Sequence, residues 1–243
     1  MVCRNKDAKP QRKMNQYIFD VDGTLTPSRG KIDPEFGAWF IDFCNHNNVY
    51  LVTGSDRPKT VEQIGETVYS KCVRAYQCSG NEVFVKDQRI RVTEWQLPEA
   101  AQTWLEEQLA TSKFYRKTGT HIEHRTGMVN FSIVGRQSTM EERAMYVEWD
   151  EHKLERKHIA AQFNARFPEL QATIGGDTGI DIYAKGRDKA QIITDFELTD
   201  TLWFFGDDMG TSGNDYTLSK CVDHPVPVTG WQDTWKKLVD LST

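Results

Sequence analysis

Three short apolar segments of this 243-residue chain each run directly into acidic or hydroxyl residues. They are Tyr17–Phe19 before Asp20, Val49–Val52 before Thr53, and Leu202–Phe205 before Gly206 and Asp207. Such short apolar runs predict strands that are buried on both faces, and the helical spacing between the first two indicates strand–helix alternation. The chain should therefore be an α/β protein with a parallel sheet wrapped by helices. Ligands bind outside the carboxyl ends of such strands, where these polar residues would meet.

The pattern changes in the middle of the chain. Segments 83–85 and 90–92 alternate apolar and polar residues around a polar turn, which predicts an antiparallel hairpin. A helix from Pro98, strands near Ile122 and Val129, a helical stretch over 140–167 broken near Asp150, and strands near 172–174 and 180–183 follow. We therefore predict a Rossmann-like core made of residues 1–82 and 187–243, with an inserted α+β cap over residues 83–186.

Composition narrows the range of partners. The net charge is −5, with 38% hydrophobic and 27% charged residues, as in an ordinary folded domain. Such a chain has no overall attraction to nucleic acid or to an anionic membrane, and no apolar run is long enough to span a bilayer. The basic segment 1–13 has no apolar stretch behind it, so it does not resemble a signal peptide. We expect a cytoplasmic protein.

The five cysteines also fit a reducing compartment. They are Cys3, Cys44, Cys72, Cys78 and Cys221. Their number is odd and they form no CxxC pair, which argues against a disulfide framework or a zinc site.

The spacing of Asp20 and Asp22 suggests a site for phosphoryl transfer. In extended backbone, residues two apart point to the same side, so both carboxylates can face one substrate while Val21 points into the core. Adjacent carboxylates repel each other unless a cation or a proton lies between them, and Mg²⁺ prefers carboxylate and phosphate oxygens. Asp207, arriving from another strand, would complete such a magnesium site.

Hydroxyl and cationic groups converge on the same edge of the predicted sheet. Thr53 and Ser55 follow the second strand, and Lys189 lies between the middle block and the last apolar strand, where it could neutralise phosphoryl charge. Taken singly, an acidic surface turn, a polar turn and a solvated lysine would explain these features. Their convergence at one edge favours a catalytic site.

The same residues resemble the ordered motifs of the haloacid dehalogenase superfamily. The matching segments are Asp20-Val21-Asp22-Gly23-Thr24, Val52-Thr53-Gly54-Ser55-Asp56, Lys189, and Gly206-Asp207-Asp208 with Gly213-Asn214-Asp215. Further segments are similar to eukaryotic-type phosphomannomutases, and they are Glu123–Asn130, Ile133–Arg136, Glu141–Arg143, Ile174–Gly176 and Phe204–Asp207. The resemblance extends over nearly the whole chain from Tyr17 onward.

The resemblance implies a role for each matching residue. Asp20 would be the nucleophile and Asp22 the general acid/base, with Thr53, Ser55 and Lys189 supporting them. Mg²⁺ would bind Asp20, Asp22 through its backbone carbonyl, Asp207 and Asp215. The substrate would be held by Arg29, Arg125, Arg136, Arg143, Gly179 and Asp181. Three cap arginines in an acidic protein suit bidentate capture of a distal phosphate, although solvated or ion-paired arginines are the simpler alternative.

Two activities start with the same step, in which Asp20 takes a phosphoryl group. The cap segments favour a mutase that converts mannose 6-phosphate to mannose 1-phosphate, with glucose phosphates as further substrates and a hexose 1,6-bisphosphate as activator. Gly179, Thr53 and Asp208 depart from the mutase pattern, which usually has serine, glycine and lysine there; the last two resemble sugar phosphatases. A Mg²⁺-dependent phosphatase is therefore the alternative, and a non-catalytic sugar-phosphate binder a minor one. By resemblance, the cap also implies a homodimer.

Overall fold

Strands and helices alternate along most of the chain in the computed structural model, which describes residues 14–242. The strands are β1 (Asn15–Phe19), β2 (Asn48–Val52), β3 (Arg74–Gln77), β4 (Glu82–Val85), β5 (Gln88–Val92), β6 (Ile122–Arg125), β7 (Met128–Phe131), β8 (Leu170–Gly175), β9 (Gly179–Ala184), β10 (Thr201–Gly206) and β11 (His224–Pro227). The α-helices are α1 (Pro34–His46), α2 (Arg57–Lys71), α3 (Glu99–Thr111), α4 (Met140–Lys153), α5 (Glu155–Arg166), α6 (Tyr216–Ser219) and α7 (Trp231–Ser242). Two 3₁₀ helices span Cys78–Gly80 and Lys189–Asp195.

The larger sheet has seven strands in the order β11-β10-β1-β2-β3-β4-β5. The first five in this order pair in parallel, and β4 and β5 are antiparallel. Side chains of β1 alternate between two apolar cores, with Tyr17 and Phe19 on one face and Ile18 on the other. Burial on both faces explains why the strand is a continuous apolar run, and it confirms the predicted parallel-sheet α/β core.

Helix α1 shows how local sequence fixes one of the covering helices. The carboxylate of Asp33 accepts hydrogen bonds from the backbone N–H groups of Glu35 and Phe36, which caps the helix, and Pro34 occupies its first turn. The predicted apolar stripe of Phe36, Phe40, Phe43 and Cys44 is buried. It packs with residues of α2 and α7 on one face of the sheet. The 3₁₀ helix Lys189–Asp195 and α6 contribute to the opposite core.

The predicted hairpin forms, but the prediction that it belongs to the cap was wrong. Strands β4 and β5 pair antiparallel to each other, and β4 pairs with β3 at the edge of the seven-stranded sheet. An alternating pattern indicates a hairpin with one exposed face without indicating which sheet it joins. The hairpin therefore extends the sheet that contains the parallel strands.

A second, antiparallel sheet of four strands has the order β6-β7-β9-β8. One of its faces is covered by α3, α4 and α5, whose apolar residues share a core with Val129, Phe131, Ile180 and Ile182. The predicted long helix over 140–167 divides into α4 and α5 at Leu154, four residues beyond the expected break. Leu154 has a left-handed backbone with φ of 54° and ends α4.

The four described cysteines are free thiols, with Cys44, Cys72 and Cys78 buried and Cys221 exposed. Cys3 and the predicted basic tail over residues 1–13 lie outside the described residues. Within residues 14–242, no helix has the length and apolarity needed to cross a membrane.

Candidate active site

A cavity of about 310 Å³ lies where the carboxyl ends of the parallel strands face the uncovered side of the smaller sheet. Most of the predicted site residues line it, and they are Asp20, Asp22, Arg29, Thr53, Ser55, Arg125, Arg136, Arg143, Gly179, Asp181 and Asp207. The two remaining ones, Lys189 and Asp215, are buried beside Asp20. The structure thus brings together residues that lie up to 195 positions apart in the sequence, from Asp20 to Asp215.

A buried cluster of charges forms one end of this cavity. The ammonium group of Lys189 lies 2.9 Å from Oδ1 of Asp20 and 2.7 Å from Oδ1 of Asp215. Asp20 follows β1, and its backbone N–H donates to the carbonyl of Phe205 in β10 at 3.0 Å. This bond ties the ends of two neighbouring strands together. It holds the backbone of Asp20 at the end of β10, from which Asp207 follows.

Gly23 allows the turn after Asp20 to approach Asp207 closely. Its φ is +76°, in the left-handed region that favours glycine. A Cβ atom at this position would lie only 2.2 Å from Oδ2 of Asp207. A larger residue would therefore displace a carboxylate of the cluster.

The electrostatics of this cluster favour binding of a divalent cation. Carboxylate oxygens of Asp20, Asp207 and Asp215 lie within 4.8 Å of one another. Burial, together with Asp215, raises the pKa of Asp207 to about 7, and burial raises the pKa of Asp20 despite the neighbouring Lys189. Burial alone would lower the pKa of Lys189, but Asp20 and Asp215 outweigh it and raise that pKa. Three carboxylates beside one ammonium group have an excess of negative charge, and their oxygens suit Mg²⁺.

The carboxylate of Asp22 is held by four donors and is not part of this cluster. Oδ1 accepts from the backbone N–H of Arg29 and from Nε2 of Gln63, both at 2.8 Å. Oδ2 accepts from Nζ of Lys59 at 2.9 Å and from Oγ of Ser55 at 3.4 Å. Burial by itself would raise the pKa of Asp22, but Lys59, Arg29 and Gln63 outweigh it and lower the pKa to about 2.

Thr53 and Ser55 are both buried at the end of β2. Oγ1 of Thr53 accepts from the backbone N–H of Ser55 at 3.1 Å, and Oγ of Ser55 accepts from Lys59 at 2.9 Å. Thr53 therefore shapes the turn, while Ser55 presents its hydroxyl to Asp22.

Four arginines line the opposite part of the cavity. Arg125 donates to the carbonyl of Gly54 at 2.7 Å and pairs with Glu123, which also binds Nε of Arg136 at 3.1 Å. Burial, then repulsion by Arg136 and Arg143, lowers the pKa of Arg29 to about 10. Burial likewise lowers the pKa of Arg136, and Arg125 adds to this effect. Mutual repulsion means that a further anion would stabilise this cluster.

Arg143 is a buried arginine with few partners. It comes from the first turn of α4 and is only 6% exposed. Its Nη2 lies 4.0 Å from Oδ2 of Asp177, the outer limit of an ion pair. Its Nη1 is buried and has no hydrogen-bond partner among the described residues. A buried, incompletely paired guanidinium facing a cavity is suited to binding an anionic ligand.

Asp181 reaches the cavity because of the period of its strand. Ile180 and Ile182 face the apolar core, so Asp181 points to the other side. It pairs in register with Asn130 of β7, whose Nδ2 donates to Oδ1 of Asp181 at 2.7 Å. At Gly179, a Cβ atom would lie 2.6 Å from Nδ2 of Asn130, so a serine there would require a local shift.

Sequence reasoning missed several polar residues of the cavity, among them Ser28, Lys59 and Asp177. Lys59 had a recognisable signal, because it lies four residues after Ser55 in the first turn of a helix that begins at the same sheet edge. Ser28 and Asp177 stand in turns and had no such signal.

Comparison with known sequences points to one protein family, and comparison with solved structures to one fold. A family model described as eukaryotic phosphomannomutase matches residues 38–242. A phosphomannomutase of Arabidopsis thaliana is 32% identical over 221 residues, covering 86% of this chain and 89% of the relative. Phosphomannomutase 1 of Homo sapiens is 31% identical over 219 residues, covering 83% and 81%. A solved phosphatase of the HAD superfamily from Bacteroides thetaiotaomicron shares the fold, with a TM-score of 0.58, 16% identity, and coverage of 98% of this chain and 99% of that one.

Proposed function

Because this chain belongs to the eukaryotic phosphomannomutase family, we propose that it interconverts mannose 6-phosphate and mannose 1-phosphate through an aspartyl phosphate on Asp20. One observation carries this proposal. A single cavity is lined both by a carboxylate that is paired with a buried lysine and by arginines that lack sufficient anionic partners. A hexose with phosphoryl groups at both ends would suit both parts of that cavity.

The first half of the proposed reaction transfers a phosphoryl group from the enzyme to the sugar. A hydroxyl oxygen of the hexose monophosphate attacks the phosphorus held on Asp20, and the bond between that phosphorus and the Asp20 oxygen breaks. Asp22 accepts the hydroxyl proton, since its low pKa keeps it ionised as a base. The product is a hexose 1,6-bisphosphate and a free Asp20 carboxylate.

The second half follows after the bisphosphate reverses its orientation. Asp20 attacks the other phosphorus, and the sugar oxygen leaves with the proton from Asp22. The phosphoenzyme is thereby restored, and the monophosphate carries its phosphoryl group at the other position. An external hexose 1,6-bisphosphate would prime the enzyme as an activator by the same step.

Asp20, Asp207 and Asp215 would hold Mg²⁺, together with the backbone carbonyl of Asp22. When bound, the ion would neutralise charge on the phosphoryl oxygens, and Lys189 would add a fixed positive charge from the protein side.

The arginines would bind the phosphate that is not reacting. Arg143 offers an unpaired Nη1, and Arg29, Arg125 and Arg136 surround the same part of the cavity. Asp181 is positioned to accept hydrogen bonds from sugar hydroxyls. With Gly179 in place of serine, the sugar would lack one hydroxyl contact from the protein.

We infer that the cap domain extends from Thr93 to Gly186, because β4 and β5 belong to the core sheet. Its position over the cavity would keep water from the phosphoenzyme, which a mutase requires and a phosphatase does not. We further propose a cytoplasmic homodimer formed through the cap. Light scattering should give twice the chain mass of 28.0 kDa, and a monomer mass would contradict the dimer.

Phosphorus NMR would test the activity directly. Mannose 1-phosphate is supplied with Mg²⁺ and a catalytic amount of hexose 1,6-bisphosphate. Appearance of mannose 6-phosphate is the expected result. If inorganic phosphate accumulates instead, the protein is a phosphatase, and Thr53 and Asp208 were the better indicators. If neither product forms, catalysis on these sugars is excluded.

A further inference from the structure

Asp177 stands in the turn between β8 and β9, directly in front of the arginines. Its Oδ2 accepts a hydrogen bond from Oγ of Ser28 at 2.6 Å, and the same oxygen lies 4.0 Å from Nη2 of Arg143. We propose that Asp177 is a specificity-determining residue that acts as an internal counter-anion and competes with the distal phosphate for Arg143. This inference rests on the proposed function, because it assigns the arginines to a phosphate of the substrate.

The contact between Asp177 and Arg143 satisfies the arginine only in part. At 4.0 Å it is longer than the ion pair of Arg156 with Asp150 at 2.7 Å, and Nη1 of Arg143 has no hydrogen-bond partner among the described residues. The side chain of Asp177 is 49% exposed, whereas that of Arg143 is 7% exposed. A carboxylate that is already half solvated can move into water at a small cost in free energy. It is therefore a weak and displaceable partner for a buried cation.

The turn that carries Asp177 is held from both sides. Nη1 of Arg156 donates to the carbonyl of Gly176 at 2.7 Å, and the Nε of Arg156 is bound to Asp150 of α4. Ser28 belongs to the loop after β1, on the core side of the cavity. Asp177 therefore keeps its place near Arg143 without making a close ion pair with it.

This arrangement discriminates between ligands by charge. A phosphate dianion carries more charge than the carboxylate and offers several oxygens to the guanidinium. It would therefore displace Asp177 as the anionic partner of Arg143. Weaker anions and neutral sugars would not compete as well. Asp177 would thus lower the affinity of Arg143 for every anion, so that only a ligand with strong contacts, such as a phosphate dianion, would bind there.

Calorimetric titration of the full-length protein with inorganic phosphate would test the inference without any turnover. Divalent cations are omitted so that the acidic end of the cavity repels the phosphate. Asp177→Asn removes the charge but can still accept the hydrogen bond from Ser28. Because the carboxylate is half exposed and its charge is screened, we expect roughly three- to tenfold tighter phosphate binding. Arg143→Met should abolish this binding, which would locate the site.

Two control variants separate charge from structure. Ser28→Ala removes the hydrogen bond but keeps the carboxylate, so it should not tighten phosphate binding. Asp87→Asn removes a carboxylate that is also paired with an arginine, Arg57 at 2.7 Å, but lies outside the cavity. It should leave phosphate binding unchanged.

The possible outcomes distinguish this inference from the proposed function. If Asp177→Asn binds phosphate within twofold of the unaltered protein, or no better than Asp87→Asn, the inference is wrong even where mannose phosphates are interconverted. If phosphate binding tightens as expected but mannose phosphates are not converted, the competition is real and the proposed function fails. Absence of phosphate binding in Asp177→Asn would also overturn the inference.

Discussion

Individual side chains of the acidic cluster depend on one another for their charge. Lys189 is almost fully buried and lies within 3 Å of both Asp20 and Asp215, so each ion compensates the desolvation of the others. Removing one member leaves an unpaired charge in a buried place. Substitutions here must therefore keep the shape of the residue if they are to report on chemistry rather than on folding.

Replacing Asp20 with asparagine tests the proposed nucleophile with a side chain of the same shape. Asp20→Asn keeps the shape and the hydrogen-bonding capacity but cannot form the acyl phosphate, so turnover should fall at least a hundredfold. Coupled assays would measure the rate, and circular dichroism would show that the fold is retained. Activity above about one per cent in a folded variant would refute the assignment.

Arg143 tests the binding of the distal phosphate. Arg143→Ala should raise KM for mannose phosphates roughly ten- to hundredfold with a smaller change in kcat, because the lost contact is made in both ground and transition states. Arg143→Lys keeps the charge but loses the planar pair of donors, and it should give an intermediate KM. An unchanged KM in Arg143→Ala would exclude this role.

At the scale of elements, one carboxylate links the edge strand of the hairpin to two other elements of the core. Asp195 ends the 3₁₀ helix Lys189–Asp195, and its two oxygens bind Arg91 of β5 at 2.8 and 3.0 Å. It also lies 3.1 Å from Nη1 of Arg74 in β3. Three elements that are distant in sequence therefore meet at one side chain. This network joins β5 to the core rather than to the cap.

Removal of this carboxylate should weaken the fold in a pH-dependent way. Burial alone would raise the pKa of Asp195, but Arg91, Tyr76 and Arg74 outweigh it and lower the pKa. Its stabilisation is therefore complete above the unfolded-state pKa, roughly 3.9, and is lost as the pH falls through the lower folded-state value. Asp195→Asn should reduce the free energy of unfolding by about 1–2 kcal/mol at pH 7, partly screened by solvent.

Urea unfolding at several pH values would measure this difference. It should stay constant between pH 8 and 6 and shrink below about pH 4. Glu66→Gln is the matched control, since Glu66 pairs with Arg57 at 3.1 Å in an exposed position. That variant should change stability by less than about 0.5 kcal/mol. An equal loss in both variants would contradict a special role for Asp195.

At the scale of the whole molecule, hydrogen bonds to backbone carbonyls connect the smaller sheet to loops of the core. Arg125 of β6 donates to the carbonyl of Gly54 after β2 at 2.7 Å. The backbone N–H of Ile174 donates to the carbonyl of Ser212 at 3.3 Å. A Cβ atom at Gly54 would lie 2.9 Å from Oδ2 of Asp181, which is buried and held by Asn130. The glycine thus lets the smaller sheet approach the core.

Gly54→Ala should therefore impair the assembled site more than the fold. The added methyl group would push Asp181 and its sheet away from the core, and we expect kcat/KM to fall roughly tenfold because the reacting groups are misplaced. The melting temperature should change little. Gly210→Ala is the control, since nothing lies within 4 Å of a Cβ atom there. Equal activities for the two variants would refute this account.

Most of the fold and most of the predicted residues around the cavity could be placed from the sequence, while several of the side chains that contact them could not. The apolar runs of β1, β2 and β10 predict their own burial, and the acidic residues after them fall at one edge by the geometry of parallel strands. The hairpin was placed in the wrong domain because its alternating pattern is the same in either sheet. The break at Leu154 was displaced because a left-handed leucine carries no turn signal.

By itself, the sequence determined the α/β class, the cap insertion and the convergence of Asp20, Asp22, Lys189 and Asp207. The physical reason is that local periodicity indicates which strands are buried and how strands and helices alternate. Only the tertiary structure decided which groups surround them. Asp177 forms a hydrogen bond with Ser28, which lies 149 positions away in the sequence, and Lys59 forms one with Asp22, which lies 37 positions away. Such pairs depend on how turns and helix ends pack after the sheets have formed, and no local pattern encodes that packing.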